Sequence, residues 1–212
     1  MNHALSDRYI RRALREIAAR DADVARTLKK VGYPPSRQRP AGFATLLRVI
    51  VGQQVSTSAA RSIYGRLETA LGPQAPAPRT LLGLSDEQLR AAGLSRSKVV
   101  YARALAEAIA AGELGLDDLP EMPDADVIER LTAVKGLGVW SAQMYLIFSL
   151  GRRDVWPAGD LGVRAGLQVI KGLAERPSAA QTQLLVEDYR PRRSVIALLA
   201  WACANAGVDV VG

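Results

Sequence analysis

Leu131-Thr132-Ala133-Val134-Lys135-Gly136-Leu137-Gly138-Val139-Trp140-Ser141-Ala142-Gln143 reads as a helix, a tight turn with two glycines, and a second helix. A Lys-Gly-Leu-Gly turn leaves backbone amides uncovered at the start of the following helix. Those amides and the positive end of the helix dipole form a ready phosphate site. A second stretch, Trp156-Pro157-Ala158-Gly159-Asp160-Leu161-Gly162-Val163-Arg164, puts a lone carboxylate at the head of another helix. A phosphate grip followed by a placed carboxylate points to chemistry on nucleic acid rather than to binding alone.

Outward from these blocks the chain reads as all-helical. Alanine, leucine and arginine dominate, and no period-two stretch rich in β-branched residues stands out. Apolar spacing and capping residues predict helices over 7–19, 23–31, 43–52, 57–71, 86–92, 97–111, 124–133, 139–150, 160–171, 178–188 and 193–206. Breaks fall at Gly32 to Pro35, Gly72 to Pro78, Gly115 to Pro123, Gly151 to Arg153 and Arg190 to Arg192. The Pro/Ala segment 73–78 reads as a stiff surface loop.

The 212 residues suffice for one domain or two small ones, and 28 Lys+Arg against 21 Asp+Glu leave a net +7 that favours a polyanionic partner. A single cysteine, Cys203, excludes a disulfide framework and a four-cysteine zinc or iron–sulfur site. With His3 the lone histidine, a transition-metal centre lacks ligands. The first eight residues hold no apolar signal core, and the longest apolar run, Val195 to Ala204, is too short to span a membrane. These features set the expectation of a soluble intracellular protein with no membrane partner, monomeric by default.

Three ordered blocks resemble the helix-hairpin-helix DNA glycosylase superfamily, and within it the 3-methyladenine DNA glycosylase II branch. They are Leu46-Leu47-Arg48-Val49-Ile50-Val51-Gly52-Gln53-Gln54-Val55-Ser56 with Ala59, Ala60 and Ile63, the hairpin with Trp140-Ser141-Ala142, and Pro157 to Gly166. A weaker fourth is Pro191-Arg192-Arg193-Ser194 leading to Trp201. The resemblance implies two small helical domains with a DNA-binding cleft between them. A central domain over 38–152 would carry the hairpin, and both chain ends, 1–37 and 153–212, would form the second. The extra amino-terminal domain of the branch's larger enzymes is not expected here.

The resemblance also implies roles. Asp160 would stabilise the oxocarbenium-like sugar as the base departs. Trp140, Trp201 and Met144 would line the base pocket, and Gln54 would fill the hole left by a flipped nucleotide. Lys135, Gly136 and Gly138 would hold the DNA backbone, and the carbonyls of Thr132, Val134 and Leu137 are the candidate site for a structural K+ or Na+. No cofactor would be required. Lys135 stands where the family's turn often has proline, and Trp140 where strand-cleaving members carry a catalytic lysine, so no Schiff base is expected.

Each residue also has a purely structural reading. Asp160 could be only an N-cap, the tryptophans core, Gln54 a surface glutamine ending a helix, and the glycine turn a plain connector. Arg152-Arg153, Arg192-Arg193, Arg96 and Lys98 are either backbone contacts or solvated charges. Glycoside hydrolysis commonly uses a second carboxyl group as acid, and none is identifiable. A cationic base leaves without a proton, so this absence favours 3-methyladenine and 7-methylguanine over neutral bases.

The expected activity is a monofunctional glycosylase acting on damaged double-stranded DNA at the start of base-excision repair. The alternatives are the same fold with another lesion (uracil, hypoxanthine or an oxidised purine) and a DNA-binding helix-hairpin-helix protein without catalysis. The expected location is cytoplasmic, with the nucleoid in a bacterium, or nuclear in a eukaryote.

Overall fold

The computed structural model describes residues 5–206, so His3 lies outside the described part. All regular structure there is helical, twelve α-helices and two short 3-10 turns. No helix among the described residues is long and apolar enough to cross a membrane.

The chain divides into two compact units, one from both ends (Met1–Gln38 with Leu150–Gly212) and one continuous (Arg39–Ser149). The sequence reading put these limits at 37/38 and 152/153.

The unit built from the ends opens with α1 (Asp7–Ala18), capped by Ser6, whose hydroxyl accepts from the Tyr9 N–H at 3.3 Å. Tyr9, Ile10, Ala13, Leu14 and Ile17 bury one face of α1, the spacing an amphipathic helix needs. Asp21 caps α2 (Ala22–Val31) by accepting from the Asp23 and Val24 N–H groups.

The continuous unit holds seven helices: α3 (Phe43–Gly52), α4 (Thr57–Leu71), α5 (Pro78–Leu82), α6 (Asp86–Ala91), α7 (Arg96–Ala110), α8 (Asp124–Thr132) and α9 (Val139–Phe148). α3 and α9 are apolar around most of their circumference, which makes them central: α3 packs on α4, α7 and α9, while α8 packs on α9. Serines 56, 85 and 95 cap α4, α6 and α7.

The chain then returns to the first unit with α10 (Leu161–Lys171), α11 (Ala179–Leu185) and α12 (Arg193–Ala206). From Ser194 to Ala200 every residue of α12 is buried, so it is this unit's core helix. α10 lies against it at very short range. A Cβ on Gly166 would sit 1.9 Å from the Ala200 carbonyl oxygen, so only glycine permits this crossing.

Two segments differ from expectation. Pro78, read as the end of a stiff loop, starts α5 instead. Proline suits the first helical turn, and the Ala77 N–H donates to the Thr80 hydroxyl at 3.1 Å. The helix predicted over 178–188 stops at Leu185, because Val186 leaves helical geometry (φ −109°, ψ 6°) and a 3-10 turn, Glu187–Tyr189, follows.

That turn buries Tyr189, whose hydroxyl donates to Asp21 at 2.6 Å while the Lys171 ammonium donates to the same carboxylate at 2.9 Å. Burial opposes ionisation of Asp21, but the bonds from Tyr189 and Lys171 outweigh it and hold the carboxyl down at about 2. Burial and the bond to Asp21 push the Tyr189 hydroxyl up to about 12.

Candidate functional site

Asp160 sits where a buried segment surfaces. Trp156, 5% exposed, is anchored by its indole N–H to the Thr182 hydroxyl at 3.0 Å. The chain turns through Pro157-Ala158-Gly159, with the Asp160 N–H donating to the Pro157 carbonyl at 2.9 Å. Asp160 then begins α10 as its N-cap, its Oδ1 accepting from the Val163 N–H at 2.8 Å. The same oxygen accepts from the Trp201 indole N–H at 3.0 Å.

The carboxylate is therefore both a helix cap and a group held by a second element, α12. Two donors on one oxygen fix the carboxylate's rotamer. Room for this pair depends on small neighbours. A Cβ on Gly162 would lie 3.2 Å from Asp160 Oδ1 and 3.3 Å from Trp201 Cδ1, and Gly166 brings α10 onto α12. Asp160 and Trp201, 41 residues apart in sequence, are thus joined within one unit. The hydrogen bond ties Trp201 to the carboxylate, a link that sequence spacing does not signal.

The hairpin belongs to the other unit. α8 ends at Thr132, whose hydroxyl folds back onto the Ile128 carbonyl at 2.8 Å, and the chain turns through Val134 to Gly138. The turn closes with the Leu137 N–H donating to the Val134 carbonyl at 3.0 Å, and both apolar side chains are buried. Gly136 has φ +92°, and a Cβ there would fall 2.2 Å from Cγ of Tyr101 on α7. Conformation and packing both demand glycine here.

Gly138 is the N-cap of α9 and, having no side chain, makes no side-chain cap bond. Lys135 is exposed beside it, which leaves an electropositive, amide-lined helix start. Trp140 is half-buried on the first turn of α9, and Met144 one turn later is 4% exposed.

Gln54 is exposed in the turn between α3 and α4, beside Val55 and Ser56. It is the one non-glycine residue with positive φ (54°) among those described. This left-handed conformation costs an ordinary residue about 1 kcal/mol, and such strain concentrates at functional positions.

Its neighbour Gln53, which sequence reasoning passed over, donates its side-chain amide to the Gly136 carbonyl at 2.8 Å and to the Ser141 hydroxyl at 3.1 Å. The doubled glutamine at a helix end was the available signal.

Several candidate phosphate contacts have other work. Arg193 forks onto Asp154, Nε to Oδ1 and Nη2 to Oδ2, both at 2.9 Å, and reaches the Asp154 carbonyl as well. Arg192 pairs with Glu16, and the Arg153 guanidinium stacks 4.2 Å over the Tyr9 ring. Lys98 is 8% exposed, donates to the Val51 carbonyl at 2.8 Å, and has its ammonium pKa lowered by burial. Packing and internal partners hold these four in the fold.

Among the described residues no cluster of three or more His, Cys, Asp or Glu could bind a metal ion. Burial pushes the Cys203 thiol up to about 11, so at neutral pH it is not a nucleophile.

A model of the HhH-GPD superfamily, base excision DNA repair proteins, matches residues 47–191. DNA-3-methyladenine glycosylase 1 of Schizosaccharomyces pombe is 33% identical over 186 residues, covering 85% of this chain and 82% of that one. Among solved structures, the S. pombe 3-methyladenine DNA glycosylase Mag1 in complex with abasic DNA superposes with a TM-score of 0.86 at 29% identity, covering 95% of this chain and 99% of that one. A DNA-3-methyladenine glycosidase from Bacillus halodurans gives 0.77 at 34% identity, covering 92% and 90%.

Proposed function

Because the chain belongs to the HhH-GPD superfamily of base excision DNA repair proteins, we infer that it is a DNA glycosylase that hydrolyses the N-glycosidic bond of alkylated purines. The observation that carries this reading is the Asp160 carboxylate, held on one oxygen by the Val163 N–H and the Trp201 indole. A carboxylate in fixed geometry can stabilise a developing sugar cation without moving.

In this mechanism the backbone at Gly136 and Gly138, with Lys135, holds a DNA phosphate, and the damaged nucleotide leaves the stack. Extrusion costs a few kcal/mol, part of which Gln54 offsets by filling the vacated space and offering its amide to the orphaned base. A purine alkylated at a ring nitrogen carries positive charge. It leaves with the C1′–N electron pair as a neutral base and needs no proton.

C1′ becomes oxocarbenium-like opposite Asp160, water adds its oxygen to C1′, and the proton from that water passes to the carboxylate or to solvent. The electron-rich face of Trp201, bonded to Asp160, favours the cationic base by on the order of 1–2 kcal/mol once water is excluded. With tryptophan at position 140 no amine is offered there to C1′, so the product is an intact strand with an abasic site.

The carbonyls of Thr132, Val134 and Leu137 offer oxygen-only ligands that suit K+ or Na+. The Val134 carbonyl keeps one lone pair after accepting from Leu137. A cation there would add positive charge beside the phosphate, and no chemical step passes through it. Damaged duplex is the substrate, the protein acts as a monomer, and its location is wherever the cell keeps its DNA.

Asp160→Asn tests the reading, because asparagine still caps α10. Release of 3-methyladenine from methylated duplex should be abolished while binding to an abasic-site duplex persists. Normal turnover by the variant would refute the assignment.

A further inference from the structure

The segment before Gln54 is tied down more heavily than a surface turn between two helices requires. The buried Lys98 ammonium donates to the Val51 carbonyl, and the Gln53 N–H donates to the Ile50 carbonyl at 3.2 Å, closing α3. The Gln53 side chain crosses to the hairpin and spends both amide hydrogens there, on Gly136 and Ser141.

Its targets are specific. Gly136 lies inside the hairpin turn, packed closely against the Tyr101 ring, and Ser141, 2% exposed, is in the first turn of α9. One side chain therefore joins the strained Gln54 turn to the phosphate-holding turn.

We propose that Gln53 is a positioning residue that locks the Gln54 turn to the hairpin. A phosphate gripped by the hairpin then sets how far, and at which nucleotide, Gln54 enters the duplex. The inference rests on the reading of Gln54 as the inserted residue.

In physical terms the lock removes a degree of freedom. A loose Gln54 turn would have to be ordered each time a nucleotide is extruded, whereas a turn bonded to the grip is ordered in advance. The left-handed backbone at Gln54 directly follows this bonded segment, which helps to hold it in place. Loss of Gln53 should therefore slow extrusion while leaving phosphate binding in place.

The test is a double-mutant cycle on the full chain with Gln53→Met, which keeps length and apolar bulk but cannot donate, and Gln54→Ala. Readouts are single-turnover release of 3-methyladenine, the fluorescence of 2-aminopurine placed next to the lesion, and Kd for undamaged duplex. Gln53→Met alone should cut release and the 2-aminopurine signal about tenfold, with Kd for undamaged duplex changed less than about twofold. In the Gln54→Ala background the same substitution should cost less than about twofold more.

Equal losses in both backgrounds would overturn the proposal, since Gln53 would then act on the fold rather than through Gln54. Unimpaired release by Gln53→Met would overturn it too. If Gln54→Ala alone is silent, the inserted-residue reading fails first and this proposal falls with it. Gln53→Glu, of the same size but without the donor pair when ionised, should reproduce the defect if the methionine variant proves unstable, and normal release by it would also refute the lock.

Discussion

Replacing Trp201 by phenylalanine keeps an aromatic face on α12 but deletes the indole N–H that reaches Asp160 Oδ1 at 3.0 Å. Asp160 retains the bond from Val163 at 2.8 Å, so the helix cap survives while the carboxylate loses its second anchor. A hydrogen bond to a charged group is worth about 1.5–3 kcal/mol net, and each 1.4 kcal/mol of barrier is tenfold in rate.

If most of that energy serves to hold the carboxylate against C1′, single-turnover release should fall about 10- to 100-fold in Trp201→Phe. Affinity for an abasic-site duplex should be nearly unchanged, because the aromatic face remains. The assay is release of 3-methyladenine from methylated duplex under enzyme excess, with Trp201→Ala beside it. Wild-type release by Trp201→Phe with a dead Trp201→Ala would show that only the ring face matters, and the anchoring argument would be wrong.

Two further outcomes follow from the geometry. Gly136→Ala meets both a left-handed backbone and a contact of 2.2 Å with Tyr101, so the turn must shift and both thermal stability and duplex binding should fall. Binding isotherms and melting curves on one preparation check this. Asp21, normally near 3.8 and held at about 2 in the fold, contributes on the order of 2 kcal/mol above pH 4, lost as pH falls toward 2. Asp21→Asn keeps the cap on α2 yet should melt several degrees lower at pH 7, with the gap closing at the acid end of a pH series.

Much of the fold was legible because its signals are local. Caps at Ser6, Ser56 and Ser95, apolar periodicity in α1, and the apolar runs of α3 and α12 depend on residues within one or two turns. The hairpin was legible for the same reason, since glycine at 136 and 138 announces its own turn.

What could not be read were pairings across long stretches of chain. Trp201 meets Asp160 only because Gly166 lets two helices touch, and Gln53 meets Gly136 across 83 residues. The fate of the arginines was hidden likewise. Arg193 and Asp154 are 39 apart, and nothing local distinguishes a solvated arginine from one forked on a buried-side carboxylate. The helix end at Leu185 has no local signal either: the 3-10 turn that follows buries Tyr189, bonded to Asp21 168 residues away.

The most direct test of the central claim is incubation of the pure protein with end-labelled duplex carrying one 3-methyladenine or 7-methylguanine, each product run with and without alkali. Base release with strand breaks that appear only after alkali is the predicted result. Breaks without alkali would reveal a nucleophile that attacks C1′, and no release from either lesion, alongside salt-sensitive duplex binding, would contradict the assignment of glycosylase chemistry to Asp160.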